Sequence, residues 1–110
     1  MCGVNRFKAF KAFQKRRFIK TFNLNLISAT EIIRAMHENL KTNNGSIVLF
    51  STVAARKGFT NHSIISSAKA AIEGLTVSLA AEFAPNVRVN CIAPSLTKSK
   101  IAEFLLKMKK

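Results

Sequence analysis

The stretch SIVLFS, Ser46 to Ser51, gives the clearest indication of the fold. It is a short, continuous apolar run that contains β-branched residues and does not alternate with polar ones. A strand of a parallel sheet has this pattern when both of its faces are covered, because neither face then meets water. The run therefore predicts an interior strand of a parallel sheet.

Two longer segments with helical periodicity lie on either side of this strand. Before it, apolar residues recur at intervals of three and four over residues 25–41, and an Asn-Asn-Gly breaker at 43–45 ends the pattern. After it, residues 62–84 repeat apolar and small side chains, and residues 87–93 form a second strand-like run. The sequence thus predicts the order helix, strand, helix, strand, short helix.

This order predicts an α/β fold. Two strands joined by a helix of this length are expected to be parallel with a right-handed crossover, as in a doubly wound, Rossmann-like sheet. Two strands are too few to complete such a sheet, so we expect the chain either to associate or to be a fragment of something larger. Residues 1–17 are predicted to be a poorly ordered basic leader, and residues 18–110 the partial domain.

The basic residues are concentrated at the two ends of the chain. The formal net charge is +13, from 18 Lys and Arg against 5 acids. Such a charge is typical of proteins that bind nucleic acid or anionic membranes. Seven of the 18 lie in the first 20 positions, mixed with Phe as in an amphipathic surface helix. Because the middle is nearly ordinary, nucleic acid is not the favoured partner, and binding through the basic ends stays an open alternative.

The cysteine content predicts the cellular compartment, and the hydropathy indicates whether the chain spans a membrane. Cys2 and Cys91 suggest neither a disulfide framework nor a metal site, so a reducing cytoplasm is predicted. No run approaches the roughly 18 consecutive apolar residues of a membrane span. We therefore expect no transmembrane segment.

Four stretches together resemble the C-terminal, catalytic half of the short-chain dehydrogenase/reductase family. They are FNLNLISA (22–29), GSIVLFSTVAA (45–55), SSAKAAIEGLTVSLAAEFAPNVRVNCIAP (66–94) and SLTKSK (95–100). Their order and spacing cover roughly residues 18–106 without gaps. The resemblance implies hydride transfer between NAD or NADP and a small carbonyl or alcohol substrate.

The resemblance also assigns roles to individual residues. Asn25 matches the family's helix Asn, which holds a water in the proton path. Thr52 takes the place of the Ser that hydrogen-bonds the substrate carbonyl, with Ser51 beside it as the fallback. Lys69 matches the Lys that binds the nicotinamide ribose and lowers the pKa of the neighbouring Tyr.

The Tyr itself is missing. Ile65 occupies its position, one helical turn before Lys69, and the sequence contains no Tyr. Ile has no proton to exchange with a substrate oxygen. His62 is the titratable group near enough in sequence to be a substitute acid. The alternative is that Asn61 or His62 caps the helix and that His62 is a partly exposed surface residue.

The nicotinamide side of the family's cofactor site is represented and the adenosine side is not. The resemblance places Pro94, Thr97 and Ser99 around the carboxamide. No G-x-G-x-x-G, the turn that binds pyrophosphate, occurs among the four glycines. Cofactor binding by this chain alone is therefore expected to be poor, and nothing selects NAD or NADP.

Two interpretations of the function follow, and the residues leave open whether the chain is an enzyme. The first is a short-chain oxidoreductase that is present as a truncated, inactive fragment. The second is a non-catalytic interaction protein derived from that family. In either case a homo-oligomer is expected through the helices at 25–41 and 62–84.

Overall fold

The computed structural model describes residues 9–95. In this range two strands form a parallel sheet, and each strand is preceded by a long helical segment. The elements are α1 (Lys15–Phe22), α2 (Ser28–Thr42), β1 (Ser46–Phe50), α3 (Ala54–Lys57), α4 (Ser63–Phe83) and β2 (Arg88–Ile92). The predicted α/β class and parallel pairing are confirmed. The short helix predicted after Pro94 lies outside the described residues.

The register of the sheet follows the alternation of side chains along each strand. Ile47 pairs with Val89, and Phe50 pairs with Ile92. One further backbone bond extends the pairing beyond the strands, since Ser51 N donates to Ile92 O at 2.8 Å. The end of β1 is therefore fixed against the end of β2.

The prediction of an interior strand, covered on both faces, is wrong for the described part of the chain. Burial along β1 alternates, with Val48 50% exposed and Phe50 55% exposed. In β2, Val89 is buried while Ile92 is 50% exposed. Helix α4 contacts both strands, but among residues 9–95 the other face of the sheet has no comparable cover. Composition alone could not distinguish one covered face from two.

The first helix begins earlier than its apolar periodicity predicts. That periodicity places the start at Asn25, yet α1 begins at Lys15, inside the segment predicted to be a leader. Aromatic contacts accompany this extension, with the rings of Phe18 and Phe22 stacked at 5.0 Å. The basic residues around these rings, Arg16, Arg17 and Lys20, conceal the helical pattern. The prediction for residues 1–8 lies outside the described range.

A π-helical turn, Asn23–Ile27, joins α1 to α2. Its side chains reach back to the preceding turn: Asn25 Nδ2 donates to Thr21 O at 2.9 Å, and Ser28 Oγ, just after the turn, donates to Leu24 O. Such turns are rare inside helices and are frequent at functional sites. The turn contacts α4.

The Asn-Asn-Gly breaker ends α2 as predicted. Asn44 adopts the left-handed conformation with φ 51°, and Gly45 N donates to Leu40 O at 2.8 Å. A Cβ on Gly45 would lie 2.7 Å from Leu40 Cδ2. A larger residue here would require the Leu40 side chain to move, so glycine is the residue that fits without a rearrangement.

Helix α4 confirms the prediction for residues 62–84 within one residue at each end. It carries half of the buried apolar side chains of the described residues, and Ala68 is completely buried. The core consists of Ile33, Ala54, Ile64, Ile65, Ala68, Ile72, Val87 and Val89. A small residue at position 68 allows α4 to approach its neighbours closely.

By length and composition, α4 is the one helix among the described residues that could cross a membrane. The central helix of a folded domain satisfies the same criterion, and α4 contacts α1, α3 and both strands. The finding therefore gives little support to a membrane span.

Replacing Ala68 with Leu is expected to destabilise the fold by about 1–3 kcal/mol, because a larger side chain has no space at a completely buried position. Ala70→Leu is the matched control, since Ala70 is exposed on the same helix. Urea unfolding followed by circular dichroism measures both. Equal stability of the two variants would contradict this packing.

Candidate functional site

The predicted site lies at the carboxyl end of β1, where doubly wound sheets place their ligands. Helix α4 brings Lys69 to this point, and Lys69 Nζ donates to Phe50 O at 3.2 Å. The next two residues of the chain are Ser51 and Thr52. The structure therefore brings the predicted Lys together with the backbone that leads directly to the predicted hydroxyl residues.

The Ser51 side chain forms its hydrogen bonds with residues of α4. Its side chain is buried, with Oγ 2.5 Å from Glu73 Oε2 and 3.2 Å from Lys69 O. A serine hydroxyl has one proton to donate, and a bond to a carboxylate is the stronger of the two. Ser51 thus donates to Glu73, which leaves Thr52 as the better candidate for contact with a substrate.

Thr52 is half-buried at the start of the loop after β1. Its Oγ1 accepts a hydrogen bond from Ala54 N at 3.3 Å, in the turn that leads into α3. Because this contact uses a lone pair of the oxygen, the hydroxyl proton can still be donated to a carbonyl oxygen. The position suits the role that the resemblance implies.

Pro94 lies beside this loop. Val53 N, of the residue after Thr52, donates to Pro94 O at 3.5 Å. The carboxyl ends of both strands are thus adjacent. Thr97 and Ser99, the other predicted cofactor contacts, lie outside the described residues.

Ile65, which the resemblance places at the position of the family's Tyr, is packed into the core. Ile65 is only 8% exposed and belongs to the core. His62 has a different environment: its Nδ1 lies 2.7 Å from Thr60 O, and its ring meets the Phe59 ring edge-on at 5.6 Å. Since a carbonyl only accepts, Nδ1 carries the proton in this contact. His62 lies at the N-terminus of α4 but makes no side-chain cap bond.

A cleft of about 360 Å³ lies beside His62, between the loop after β1 and the start of α4. Its lining includes Phe10, Arg56, Phe59, His62 and Ser66. Neither Thr52 nor Lys69 lines it. This cleft therefore does not join His62, the predicted substitute acid, to the Thr52 hydroxyl and the Lys69 ammonium.

Asn25 lies at the middle of the π-helical turn, and its amide nitrogen bonds within its own helix. The turn packs against α4, the helix that carries Lys69. The predicted position of Asn25 in a helix is confirmed, while its role in holding a water stays a prediction. The π-helical geometry was missed because it leaves no mark in the apolar periodicity.

Sequence reasoning also missed Glu73 and Arg56. Glu73 lies one turn after Lys69, and its Oε1 accepts from Arg56 Nε and Nη2, each at 2.9 Å. The hydrogen bond from Ser51 and then the Arg56 guanidinium lower the pKa of the Glu73 carboxyl. The one signal in the sequence was an acid four residues after the Lys, in a chain with only 5 acids.

The lowered pKa of Glu73 predicts how stability depends on pH. A carboxyl whose pKa is lower in the folded state stabilises the fold above its unfolded pKa of about 4.3, and this contribution disappears as pH falls through the folded pKa. Glu73→Gln is therefore expected to be less stable than the original protein near pH 7 and equally stable in strong acid.

Urea midpoints measured across this pH range test the expectation. Glu82→Gln is the control, because Glu82 is exposed near the end of the same helix. A stability difference for Glu73→Gln that is constant from neutral pH into strong acid would show that the carboxylate does not bind Ser51 and Arg56 as described.

Comparisons with known proteins give matches along almost the whole chain. The family model described as Enoyl-(Acyl carrier protein) reductase matches residues 2–110. A tropinone reductase homolog of Arabidopsis thaliana is 36% identical over 97% of this chain and 41% of its own length. Hydroxynaphthalene reductase of Aspergillus fumigatus is 35% identical over 88% of this chain and 36% of its own length. The chain thus spans less than half of these relatives.

Solved structures give the same result. A short-chain dehydrogenase/reductase family protein aligns with a TM-score of 0.78 and 32% identity, over 91% of this chain and 43% of that one. NAD⁺-bound xylitol dehydrogenase aligns with a TM-score of 0.77 and 27% identity, over 94% of this chain and 41% of that one. The fold of residues 9–95 is therefore that of a portion of these proteins.

Proposed function

We propose, from the premise that this chain belongs to the short-chain dehydrogenase/reductase family of oxidoreductases, that it carries the nicotinamide side of an NAD(P)-dependent hydride-transfer site. The substrate class is a small carbonyl or alcohol. The observation that supports this most is the bond from Lys69 Nζ to Phe50 O, which holds the ammonium at the end of β1, two residues before Thr52 in the chain.

Each residue has a definite task in this proposal. The Thr52 hydroxyl donates a hydrogen bond to the substrate carbonyl oxygen and so stabilises negative charge that develops there. The Lys69 ammonium, held by Phe50 O, is a multiple donor of the kind that suits a ribose hydroxyl. The nicotinamide, when bound, supplies or accepts the hydride. Pro94, Thr97 and Ser99 are proposed to lie around its carboxamide.

The proposal includes low or absent catalytic activity in the chain as it stands. Hydride addition to a carbonyl requires a proton for the new alkoxide, and general acid catalysis is typically worth about 10²–10⁴-fold. Ile65 provides no such proton, and the lining of the cleft beside His62 includes neither Thr52 nor Lys69. The four glycines also supply no pyrophosphate-binding turn.

Restoring the phenol tests this assignment of residues. In a chimera that supplies the N-terminal half of the tropinone reductase homolog, Ile65→Tyr is expected to raise carbonyl reduction by about a hundredfold or more. The reason is that the introduced phenol would lie one turn from Lys69, whose charge lowers the phenol's pKa. NADPH and NADH oxidation measures the rate.

Ile65→Phe is the matched control, because it adds the same ring without the hydroxyl. A second control, Lys69→Met in the Ile65→Tyr background, is expected to remove most of the gain. Equal rates for the Ile65→Tyr and Ile65→Phe variants would contradict the proposed role of position 65.

Homo-oligomerisation stays part of the proposal, through the helices predicted at 25–41 and 62–84. Large apolar side chains are exposed on both: Ile32 is 62% exposed, Met36 46% and Val77 72%. Gly74 is also exposed, and a Cβ there would meet nothing within 4 Å. The second interpretation, a purely non-catalytic interaction protein, gains no support from the relatives. The cytoplasm stays the predicted compartment.

Val77→Arg is expected to convert an oligomer to a monomer, since a charge on the exposed face of α4 cannot be buried without a partner. Size-exclusion chromatography with light scattering measures the mass, and Glu82→Arg serves as a control on the same helix. A monomeric original protein would remove this part of the proposal.

A further inference from the structure

The segment from Phe10 to Lys20 combines exposed cations with exposed apolar side chains. Lys11, Arg16 and Lys20 are exposed, and the first acid of the sequence is Glu31. Among residues 9–95, the ion pairs join His37 to Glu38 and Arg56 to Glu73, so none neutralises these three cations. This part of the surface is therefore strongly positive.

Large apolar side chains lie in the same segment. Phe10 is 64% exposed, Phe13 44% and Ile19 48%. The aromatic rings form a row that leads into the fold, because Phe10 contacts Phe13 at 5.6 Å and Phe13 contacts Phe18 at 5.6 Å. The row begins at the exposed ring of Phe10 and ends at the half-buried ring of Phe18.

Helix α1 separates two flanks at helical spacing. Phe18 and Phe22, four residues apart, are half-buried, and α1 packs against α4. Arg16, Ile19 and Lys20 are three and four residues apart and are all exposed, so they are neighbours on the other flank. Cations beside an apolar residue on the free flank of an anchored helix are typical of a helix that lies in a membrane interface.

We propose that Phe10, Lys11, Phe13, Arg16, Ile19 and Lys20, the basic–aromatic surface, bind the anionic headgroups of a lipid bilayer. The apolar side chains enter the boundary between headgroups and acyl chains, and the long cationic side chains reach the phosphates. The proposal is independent of the oxidoreductase function and concerns a different part of the chain from Thr52 and Lys69.

The observations favour lipid over nucleic acid. Single-stranded nucleic acid is held by bases that stack on exposed aromatic faces. Here Phe13 already contacts rings on both of its neighbours in the row. Phe10 presents an exposed ring at the outer end of the row, but Ile19 and, further along, Leu24 are aliphatic and are 48% and 45% exposed. Acyl chains accept such side chains, whereas bases gain little from them.

Co-sedimentation of the full 110-residue chain with vesicles tests the proposal. The chain is expected to pellet with phosphatidylserine/phosphatidylcholine vesicles, to stay in solution with phosphatidylcholine alone, and to dissociate as salt is raised. Arg16→Glu/Lys20→Glu is expected to lower the partition coefficient on the order of a hundredfold or more, from the typical contribution of each basic residue near an anionic surface.

Two further variants distinguish binding by the basic–aromatic surface from attraction that depends on net charge alone. Lys41→Glu/Lys57→Glu changes net charge by the same amount at exposed positions elsewhere and is expected to retain most of the binding. Ile19→Ser is expected to weaken binding without changing the net charge. Circular dichroism verifies that each variant keeps its helices.

Three results would overturn the proposal. One is failure of the original chain to bind phosphatidylserine vesicles at low salt. Another is equal weakening by the control variant at Lys41 and Lys57. The third is tighter binding to a single-stranded RNA homopolymer than to the vesicles, because nucleic acid would then be the partner that this surface fits.

Discussion

The contacts at the carboxyl end of β1 determine how the rest of this structure is arranged. The Lys69 ammonium donates to Phe50 O, and Ser51 reaches back to the same helix through Glu73. These bonds connect adjacent residues of the strand end to two successive turns of α4. The helix can neither slide along the strand nor rotate on it without breaking these bonds, so they fix the position of α4 against the end of β1.

At the carboxyl end of β1, the two neighbouring hydroxyl residues Ser51 and Thr52 have different roles. Ser51 is buried and binds a carboxylate that Arg56 also contacts, so it contributes to stability. Thr52 is partly accessible, and its proton can still be donated. Ile65, by contrast, belongs to the core and contributes packing at the position where the resemblance predicts a phenol. Ser51, Thr52 and Ile65 thus have different environments, although all three lie near the contact between β1 and α4.

Much of this could be predicted from sequence because it depends on short-range patterns. The apolar run of β1, the periodicity of α4 and the Asn-Asn-Gly breaker each have a local physical cause, and the structure confirms all three elements. The positions of Thr52 and Lys69 came from spacing along the chain and a family resemblance. The contact of Lys69 with Phe50, two residues before Thr52 in the chain, follows from the parallel connection, which the order of elements already implied.

The remainder depends on contacts between residues distant in the chain. The start of α1 at Lys15 depends on aromatic stacking and on packing against α4. The basic residues in this segment obscure the apolar periodicity that would have predicted it. The bond from Ser51 to Glu73 joins residues 22 positions apart, and no local sequence pattern predicts it. The open face of the sheet depends on which elements are present to cover it. The length of an apolar run carries no such information.

In our interpretation this chain holds the nicotinamide side of a cofactor site and lacks the adenosine side. Titration of ¹⁵N-labelled protein with reduced nicotinamide mononucleotide and with NADH, followed by NMR, distinguishes the two sides. We expect equally weak binding of the two ligands, with shifts concentrated at Thr52 and Lys69. Much tighter binding of NADH, or shifts that leave these two residues unchanged, would contradict this interpretation.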